Sequence, residues 1–486
     1  MLTKTTSRHD GRKLTFAERG IRMDELTLKE WDIDYDGLHS IKIAKYTGDS
    51  KTVVVPYGLL LPSEDPDKFI EFLEKGLTLE DLIAEAPDGS TDWDTYKNTT
   101  IGFNIVGISP YAFEGTSVET VWLPDSLEYI GASAFKLCEN LRQVSFYKVG
   151  ADKLKVFFEK DDTDIHGLNF VLCSYKPDKI KEADDKQIKI QELNDMTFAG
   201  CDKLLSFRIP ANVKKIGNQC FHTCRSLEKI TIPDSVEVIG ECAFAGCRSL
   251  QYIDLPESIR EIGSGAFMKC SGISSVKIPK NVPVLEASTF NFCQRLRTVE
   301  LPDGIKELKT ECFRGCGLES ITLPESVAKI GRGCFSVCRG LKYINIPHSV
   351  LEIGDKAFSD CSMLEEIRFN GKLNEIGPYA FYGCVSLRKC RLPEGITKIS
   401  TGLFRYCSVL DEVIIPDGVD RACTGSFANC NQLKKVKMPG TIKKIEEGAF
   451  QDTDLKLLIL PKSMEYESLI DMGLDIERTE VEWYES

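Results

Sequence analysis

The sequence predicts a repeat solenoid, mainly β with irregular turns, built from about 14 stacked units of about 23 residues. A phenylalanine returns along most of the chain, beginning at Phe113 and Phe135. From Phe198 to Phe450 it recurs at a constant interval, and a single step is shorter by one position. A unit of this size is too small to bury its own apolar face, so neighbouring units must cover it.

Each repeat begins with a short strand. Between Leu341 and Met363, two isoleucines alternate with Tyr343 and Asn345, which is the period of a strand with one buried face. A proline then ends the strand, because it has no N–H to give to a neighbouring strand. No later stretch is long or periodic enough for a helix, so we expect irregular turns, with a positive φ at Gly354.

Cysteine is also part of the repeat. Of 19 cysteines, twelve stand three residues after the repeat phenylalanine, from Cys138 to Cys430, and stacking predicts a ladder of small buried thiols there. Disulfides and a metal site are the alternatives; Cys220, His222 and Cys224 have the spacing of a ligand cluster, but alternation separates the histidine from the cysteines. Because of this separation we expect no metal, and we expect no cofactor. The odd thiol count and the lack of a paired C-x-x-C motif favour a reducing compartment.

These repeats resemble the BspA-like class of leucine-rich repeats, which is known chiefly from bacteria. The resemblance is carried by LPESVAKIGRGCFSVC, from Leu323 to Cys338, and by the equivalent segments of the other repeats over roughly residues 101 to 461. It implies a right-handed coil that serves as a protein-binding scaffold, often as a surface adhesin, and it implies no catalysis.

We expect three segments along the chain. Residues 1–100 form a capping hairpin and, over residues 65–86, one or two short helices. Residues 101–461 form the solenoid, and residues 462–486 form a C-terminal cap. Caps are needed because the terminal coils of a solenoid would otherwise expose apolar faces. The repeat lapses at about 147–187, and this insertion is either an extra hairpin at the edge or a place where function differs between relatives.

One segment of the expected hairpin copies the start of a calcium-binding loop. Asp32, Asp34, Asp36 and Gly37 have the EF-hand spacing, but Ile43 stands where the loop requires a bidentate glutamate. A turn within the hairpin therefore explains these residues better than a calcium site.

Catalysis and nucleic-acid binding are not predicted. The five histidines are scattered over different repeats and the terminal segments, and none pairs with a Ser or Cys nucleophile and an acid. The net charge of −13 opposes nucleic-acid binding, which requires a basic surface. We therefore expect no catalytic residue, no enzyme activity and no nucleic-acid partner.

The first twenty residues lack the apolar core of a secretory signal, and the longest apolar run, residues 53–62, is broken by Pro56. This run is too short to cross a membrane, so no membrane span is predicted. The sequence and its free cysteines favour a cytoplasmic location, whereas the resemblance favours the cell surface or secretion after removal of a leader.

The outward strand positions form the predicted interaction surface. Over residues 363–439, eleven Lys and Arg against eight Asp and Glu give a local charge of +3 on an acidic chain. We expect this basic stripe to bind an acidic protein partner, with apolar contacts from neighbouring positions. The candidate binding residues are Tyr252, Tyr343, Arg368, Lys389, Arg391, Ile414, Lys435 and Lys437.

Three alternative roles for this surface stay open. The alternating charges could serve solubility alone. An adhesin for host or matrix proteins would use a broader face, and its binding would not depend on the basic stripe. A structural, self-assembling protein would use the capping ends, and its size in solution would rise with concentration.

Overall fold

A computed structural model describes residues 26–28, 31–37, 40–62, 100–149, 164–165, 168–169, 171–173, 181–464, 472–474 and 478–485. The helices expected over residues 65–86 lie outside the described residues, and so does much of the insertion. The chain divides into two compact units: unit 1 comprises residues 1–135 and 144–190, and unit 2 comprises residues 136–143 and 191–486. The described part of the chain forms about 15 turns of about 23 residues with almost no helix, which confirms the predicted fold class.

Unit 1 contains twelve described strands and one 3₁₀ turn at Asp185–Gln187. The strands are β1 Leu26–Leu28, β2 Trp31–Gly37, β3 Ser40–Tyr46, β4 Thr52–Val54, β5 Gly58–Pro62, β6 Thr100–Ile108, β7 Thr120–Pro124, β8 Tyr129–Ile130, β9 Gln143–Tyr147, β10 Asp164–Ile165, β11 Leu168–Asn169 and β12 Val171–Cys173.

The first coil of unit 1 begins earlier than the phenylalanine period indicates. β3 lies parallel to β6, and β4 lies parallel to β7, so the chain has already made a coil between Ser40 and Val55. In this coil Tyr46 replaces the repeat phenylalanine, and its ring stacks on Phe113 at a centroid distance of 5.3 Å. Sequence analysis missed the coil because a tyrosine stands in it and because residues 58–103 separate it from the next coil.

Antiparallel pairing surrounds this first coil. β2 pairs with β3, so the aspartates that copy a calcium loop lie in a β-strand rather than in a loop. β5 pairs antiparallel with β6 on one side and with β12, from the insertion, on the other. Also within the insertion, β10 and β11 form an antiparallel pair. Tyr147 is fully buried at the start of the insertion, and its hydroxyl donates a hydrogen bond to the Val55 carbonyl at 2.6 Å.

Unit 2 consists of coils in which a first strand of three to five residues, present in most coils, alternates with a second strand of two residues. The strands are β13 Glu192–Leu193, β14 Ser206–Arg208, β15 Lys215–Ile216, β16 Lys229–Thr231, β17 Val238–Ile239, β18 Glu261–Ile262, β19 Ser275–Lys277, β20 Val284–Leu285, β21 Thr298–Glu300, β22 Glu307–Leu308, β23 Lys329–Ile330, β24 Tyr343–Ile346, β25 Glu352–Ile353, β26 Glu366–Phe369, β27 Glu375–Ile376, β28 Lys389–Arg391, β29 Lys398–Ile399, β30 Glu412–Ile414, β31 Arg421–Ala422, β32 Lys435–Lys437, β33 Lys444–Ile445, β34 Leu457–Pro461 and β35 Glu480–Tyr484. Pairing between equivalent strands is parallel, as in β14 with β16 and β15 with β17.

The repeat phenylalanines of unit 2 form a continuous stack, which we call the phenylalanine ladder: Phe198, Phe221, Phe244, Phe267, Phe290, Phe313, Phe335, Phe358, Phe381, Phe404, Phe427 and Phe450. Each ring is fully buried, neighbouring centroids lie 5.2 to 5.7 Å apart, and the rings are parallel within 17°. An aromatic pair adds about 0.5–1.5 kcal/mol beyond its burial, so the ladder contributes at every junction between coils.

The cysteines beside these rings form a second ladder. Ten buried thiols each donate a hydrogen bond to the carbonyl of the phenylalanine in the preceding coil, at Sγ–O distances of 3.0 to 3.2 Å. We call these residues the thiol ladder: Cys224, Cys247, Cys270, Cys293, Cys316, Cys338, Cys361, Cys384, Cys407 and Cys430. The predicted burial of the ladder cysteines is confirmed, because all ten are almost completely inaccessible. The structure pairs none of these ten in a disulfide.

The glycine after the second strand has a different role from the one expected. A positive φ at Gly354 was predicted, and this is wrong: the positive φ lies two residues later, at Lys356. Gly354 instead lies against the preceding coil, where an added Cβ would come within 2.6 Å of the Arg332 nitrogen and 2.8 Å of the Gly331 carbonyl carbon. Glycine is needed here for the close approach of two backbones rather than for a bend.

We therefore expect Gly354→Ala to lower the free energy of unfolding by about 1–3 kcal/mol, because the new methyl group meets backbone atoms that can move only with the coil. Gly304→Ala is the matched control, since its Cβ would lie 3.4 Å from the nearest atom and Gly304 has no positive φ. The control should be neutral or stabilising by up to about 1 kcal/mol. Urea denaturation of both variants tests the argument, and equal effects would contradict it.

Candidate interaction face

The first strands of the unit 2 coils present one row of outward residues on each side of a buried residue. In β28, Lys389 and Arg391 are exposed while Cys390 between them is buried, and β30 and β32 repeat this pattern. The register is parallel and unshifted, so residues one repeat apart become direct neighbours: Lys389 lies beside Glu412, and Arg391 lies beside Ile414. We call this surface the strand face.

Two of the predicted basic residues are neutralised by acidic neighbours on the strand face. The Arg368 guanidinium donates two hydrogen bonds to the Glu366 carboxylate, at 2.6 and 3.2 Å. The Lys389 ammonium donates one to Glu412 at 2.6 Å. These bonds raise the pKa of Arg368 and of Lys389. Exposed pairs of this kind contribute little to stability, but they reduce the positive charge that a partner would meet.

The other basic residues lie in different surroundings. Arg391 and Lys435 are exposed and form no ion pair within the described part of the chain. The Lys437 ammonium lies 4.8 Å from the centre of the Tyr484 ring, in a cation–π contact with the last strand, β35. Tyr484 is held in place because its hydroxyl donates a hydrogen bond to the Met438 carbonyl at 2.8 Å.

The apolar candidates do not lie together. Ile414 is 43% exposed and lies between Arg391 and the coil that carries Lys437, whereas Tyr343 is 56% exposed on β24, beside Glu366. Tyr252, 54% exposed, stands four coils before Tyr343, which corresponds to about 19 Å along the stack. The structure therefore brings together Arg391, Ile414, Lys435 and Lys437, which we call the Ile414 patch, and it leaves Tyr252 apart.

Sequence reasoning missed Tyr484 as part of this surface. The repeat loses its phenylalanine after Phe450, so the last strand does not carry the repeat motif. A signal was nevertheless present, because Glu480 follows Leu457 at the repeat interval, and the structure pairs these two residues in register. Next to the patch, Asp454 accepts hydrogen bonds from Lys434 and from Lys456, which lower the pKa of its carboxyl to about 2.

The Cys220–His222–Cys224 segment does not form a metal site in the described structure. Both cysteines are fully buried, and the Cys224 thiol is used in the thiol ladder. The buried Nδ1 of His222 makes no hydrogen bond to a described residue, and burial, aided by the charge of Lys269, lowers the pKa of the ring. Among the residues that the structure describes, no group of three or more His, Cys, Asp or Glu could hold a metal ion.

Within the described ranges, no helix has both the length and the apolar composition that crossing a membrane requires.

Comparison with solved structures places the fold among bacterial leucine-rich repeat proteins. A leucine-rich repeat protein from Bacteroides ovatus is 21% identical, with a TM-score of 0.63, and the match covers 95% of this chain and 100% of that one. The pneumococcal vaccine antigen PcpA is 15% identical, with a TM-score of 0.47, and the match covers 96% of this chain and 100% of that one. No curated protein sequence matches the chain.

The family comparison rests on the repeats themselves. The family described as "BspA type Leucine rich repeat region (6 copies)" matches residues 94–160, 191–317, 285–410 and 352–468, which together exceed half of the chain. These ranges contain the phenylalanine ladder and the thiol ladder, so the match rests on the residues that form the core. The chain belongs to the BspA-type leucine-rich repeat family.

Proposed function

We propose that this protein is a non-catalytic scaffold that binds a protein partner through the strand face, with the Ile414 patch at the centre of the contact. Proteins of this repeat class generally serve as interaction or surface scaffolds. The observation that carries the proposal is the exposed Ile414 between Arg391 and Lys437, with Lys435 nearby, because an apolar centre with arginine beside it is typical of protein interfaces.

The charge of the Ile414 patch favours an acidic partner. Arg391 and Lys435 make no ion pair with a described residue, so their charges are available without breaking a bond. The protein as a whole carries −13, and this would repel an acidic partner elsewhere on its surface. Complementary charge chiefly raises the association rate and fixes the orientation of binding.

Affinity capture with a matched pair of variants tests this assignment. Arg391→Glu/Lys435→Glu reverses two charges on the strand face, and Lys306→Glu/Lys444→Glu reverses two exposed lysines associated with the second strands of their coils. Both variants change the net charge by the same amount, so a general charge effect would weaken both equally. We expect a partner captured from lysate, or from a panel of extracellular matrix proteins, to bind the first variant at least tenfold more weakly and the second unchanged.

The same experiment separates the alternatives. A partner that binds both variants equally well would place the contact outside the Ile414 patch and contradict the proposal. If the amount of captured partner decreases when the salt concentration is raised from low to physiological, the electrostatic part of the contact is supported, because salt screens exposed charges. If light scattering instead shows that the particle size of the protein increases with its concentration, self-assembly rather than binding of another protein would be its function.

A further inference from the structure

Unit 2 contains a polar surface cavity of about 440 Å³, far along the stack from the Ile414 patch. It is lined by residues of four successive coils, from Glu228 in the first to Gln294 and Arg295 in the last. Charged and polar side chains and one glycine form the whole lining. This chiefly polar lining does not suit a hydrophobic anchor residue of a protein, so it favours a polar ligand.

The cavity exists because one turn carries almost no side chains. Ser271 and Gly272 follow the ladder cysteine Cys270, at positions where neighbouring coils carry Arg248 and Arg295. Gly272 lies so close to the preceding coil that an added Cβ would stand 2.6 Å from the carbonyl oxygens of Arg248 and of Leu250. The floor is therefore backbone, and the larger side chains of the flanking coils form the walls.

The walls are positively charged on an acidic protein. Arg248 and Arg295 both line the cavity, and neither forms an ion pair with a described residue. They lie two coils apart, so their backbones are about 10 Å from each other. Glu228 is the one acidic residue of the lining, so the lining carries a net charge of +1 against −13 for the chain. This arrangement favours an anion at the arginines and a neutral hydroxyl group at Glu228.

We propose that this cavity binds an acidic oligosaccharide that contains uronic acid residues. Arginine binds a carboxylate through two parallel hydrogen bonds, and the two arginines stand on alternate coils. Gln251, Gln294 and Ser271 can both donate and accept hydrogen bonds, as sugar hydroxyls require, and the Glu228 carboxylate accepts from a hydroxyl. The lining therefore combines two anion contacts with a row of groups suited to hydroxyls.

Calorimetric titration with three probes of similar length tests the ligand class. Trigalacturonate carries both carboxylates and hydroxyls, maltotriose carries hydroxyls alone, and triglutamate carries carboxylates on a peptide. We expect trigalacturonate to bind, and to bind at least tenfold more tightly than either of the other probes. Absence of trigalacturonate binding at millimolar concentration would overturn the proposal, and so would equal binding of maltotriose or triglutamate.

Point variants locate the site. Arg248→Gln and Arg295→Gln should each weaken trigalacturonate binding about tenfold or more, because each removes a charged hydrogen-bond donor. Arg339→Gln is the matched control, since Arg339, like Arg248, directly follows a ladder cysteine and is exposed outside the cavity. Weakening of the control to the same extent would overturn the assignment. Arg391→Glu/Lys435→Glu should leave this binding unchanged, so the sugar site and the Ile414 patch are tested separately.

Discussion

Raising the pH from about 8 to about 10 is expected to destabilise unit 2 more than any single substitution considered above. Burial raises the pKa of Cys338, Cys390 and Cys430 to about 12, from an ordinary value near 9. The pKa of eleven further buried thiols is raised too, chiefly by desolvation: Cys201, Cys220, Cys224, Cys247, Cys293, Cys312, Cys316, Cys334, Cys361, Cys384 and Cys407.

The sign of the effect follows from where each thiol loses its proton. Below about pH 9 a thiol is protonated in both the folded and the unfolded chain, so its contribution to stability is fully present. Between the unfolded and the raised folded pKa only the unfolded chain releases the proton, and the free energy of unfolding falls as pH rises. At pH 10 the loss is about 1 kcal/mol for each of Cys338, Cys390 and Cys430, and the other buried thiols act in the same direction.

Urea denaturation from pH 7 to pH 10, with a reducing agent present, measures this effect. The denaturation midpoint should fall steeply above pH 8.5, and the triple variant Cys338→Ala/Cys390→Ala/Cys430→Ala should show a shallower fall because three of the titrating groups are gone. Cys242→Ala is the control, since Cys242 is only partly buried. A midpoint that does not change up to pH 10, or an identical pH dependence in the triple variant, would contradict the linkage.

Replacing one ring in the middle of the phenylalanine ladder should have the second largest effect. Phe313 is fully buried and stacks on Phe290 at 5.7 Å and on Phe335 at 5.6 Å. We expect Phe313→Ala to lower the free energy of unfolding by about 3–5 kcal/mol, through lost burial and the cavity that remains. Tyr343→Ala is the control, because that ring is 56% exposed and should cost less than about 1 kcal/mol.

Phe313→Ala should also change how unit 2 unfolds. Each coil contacts only its neighbours, so a weakened junction divides the array into two cooperative segments. Hydrogen exchange should then show faster exchange first in the coils next to Phe313, with the two flanking arrays opening at different urea concentrations. If Phe313→Ala instead unfolds in a single transition, with a free energy of unfolding lowered by less than about 1 kcal/mol, the stacked rings do not couple the coils.

The core of this fold was readable from the sequence because it depends on spacing alone. The constant interval between phenylalanines from Phe198 onward predicts the stacking of rings and the burial of the cysteines without any knowledge of the turns. Tyr46 was missed because the period shows only where the same residue type recurs at a constant interval. The role of Gly354 was misjudged because a close approach between coils depends on backbone geometry, which side-chain patterns do not record.

The candidate sites were predictable in part. Strand alternation identified the exposed rows that contain Arg391 and Ile414, but it did not show that Glu366 bonds to Arg368 within one strand. The cation–π contact of Lys437 with Tyr484 lies where the repeat motif has faded. The cavity beside Arg248 was not predicted, because it depends on small residues in one irregular turn and large ones in the turns on either side.

The uniform junction between coils has a consequence for how such a chain changes in length. From Phe198 to Phe404, each coil offers its successor the same ring and the same carbonyl, and it receives the same thiol in return. Deleting or duplicating one whole repeat therefore rejoins two matching surfaces, whereas an indel of half that length would set a strand against a turn. The coil that ends at Phe335 is one residue shorter and keeps both contacts, so gene duplication and unequal recombination can lengthen or shorten this array one whole coil at a time.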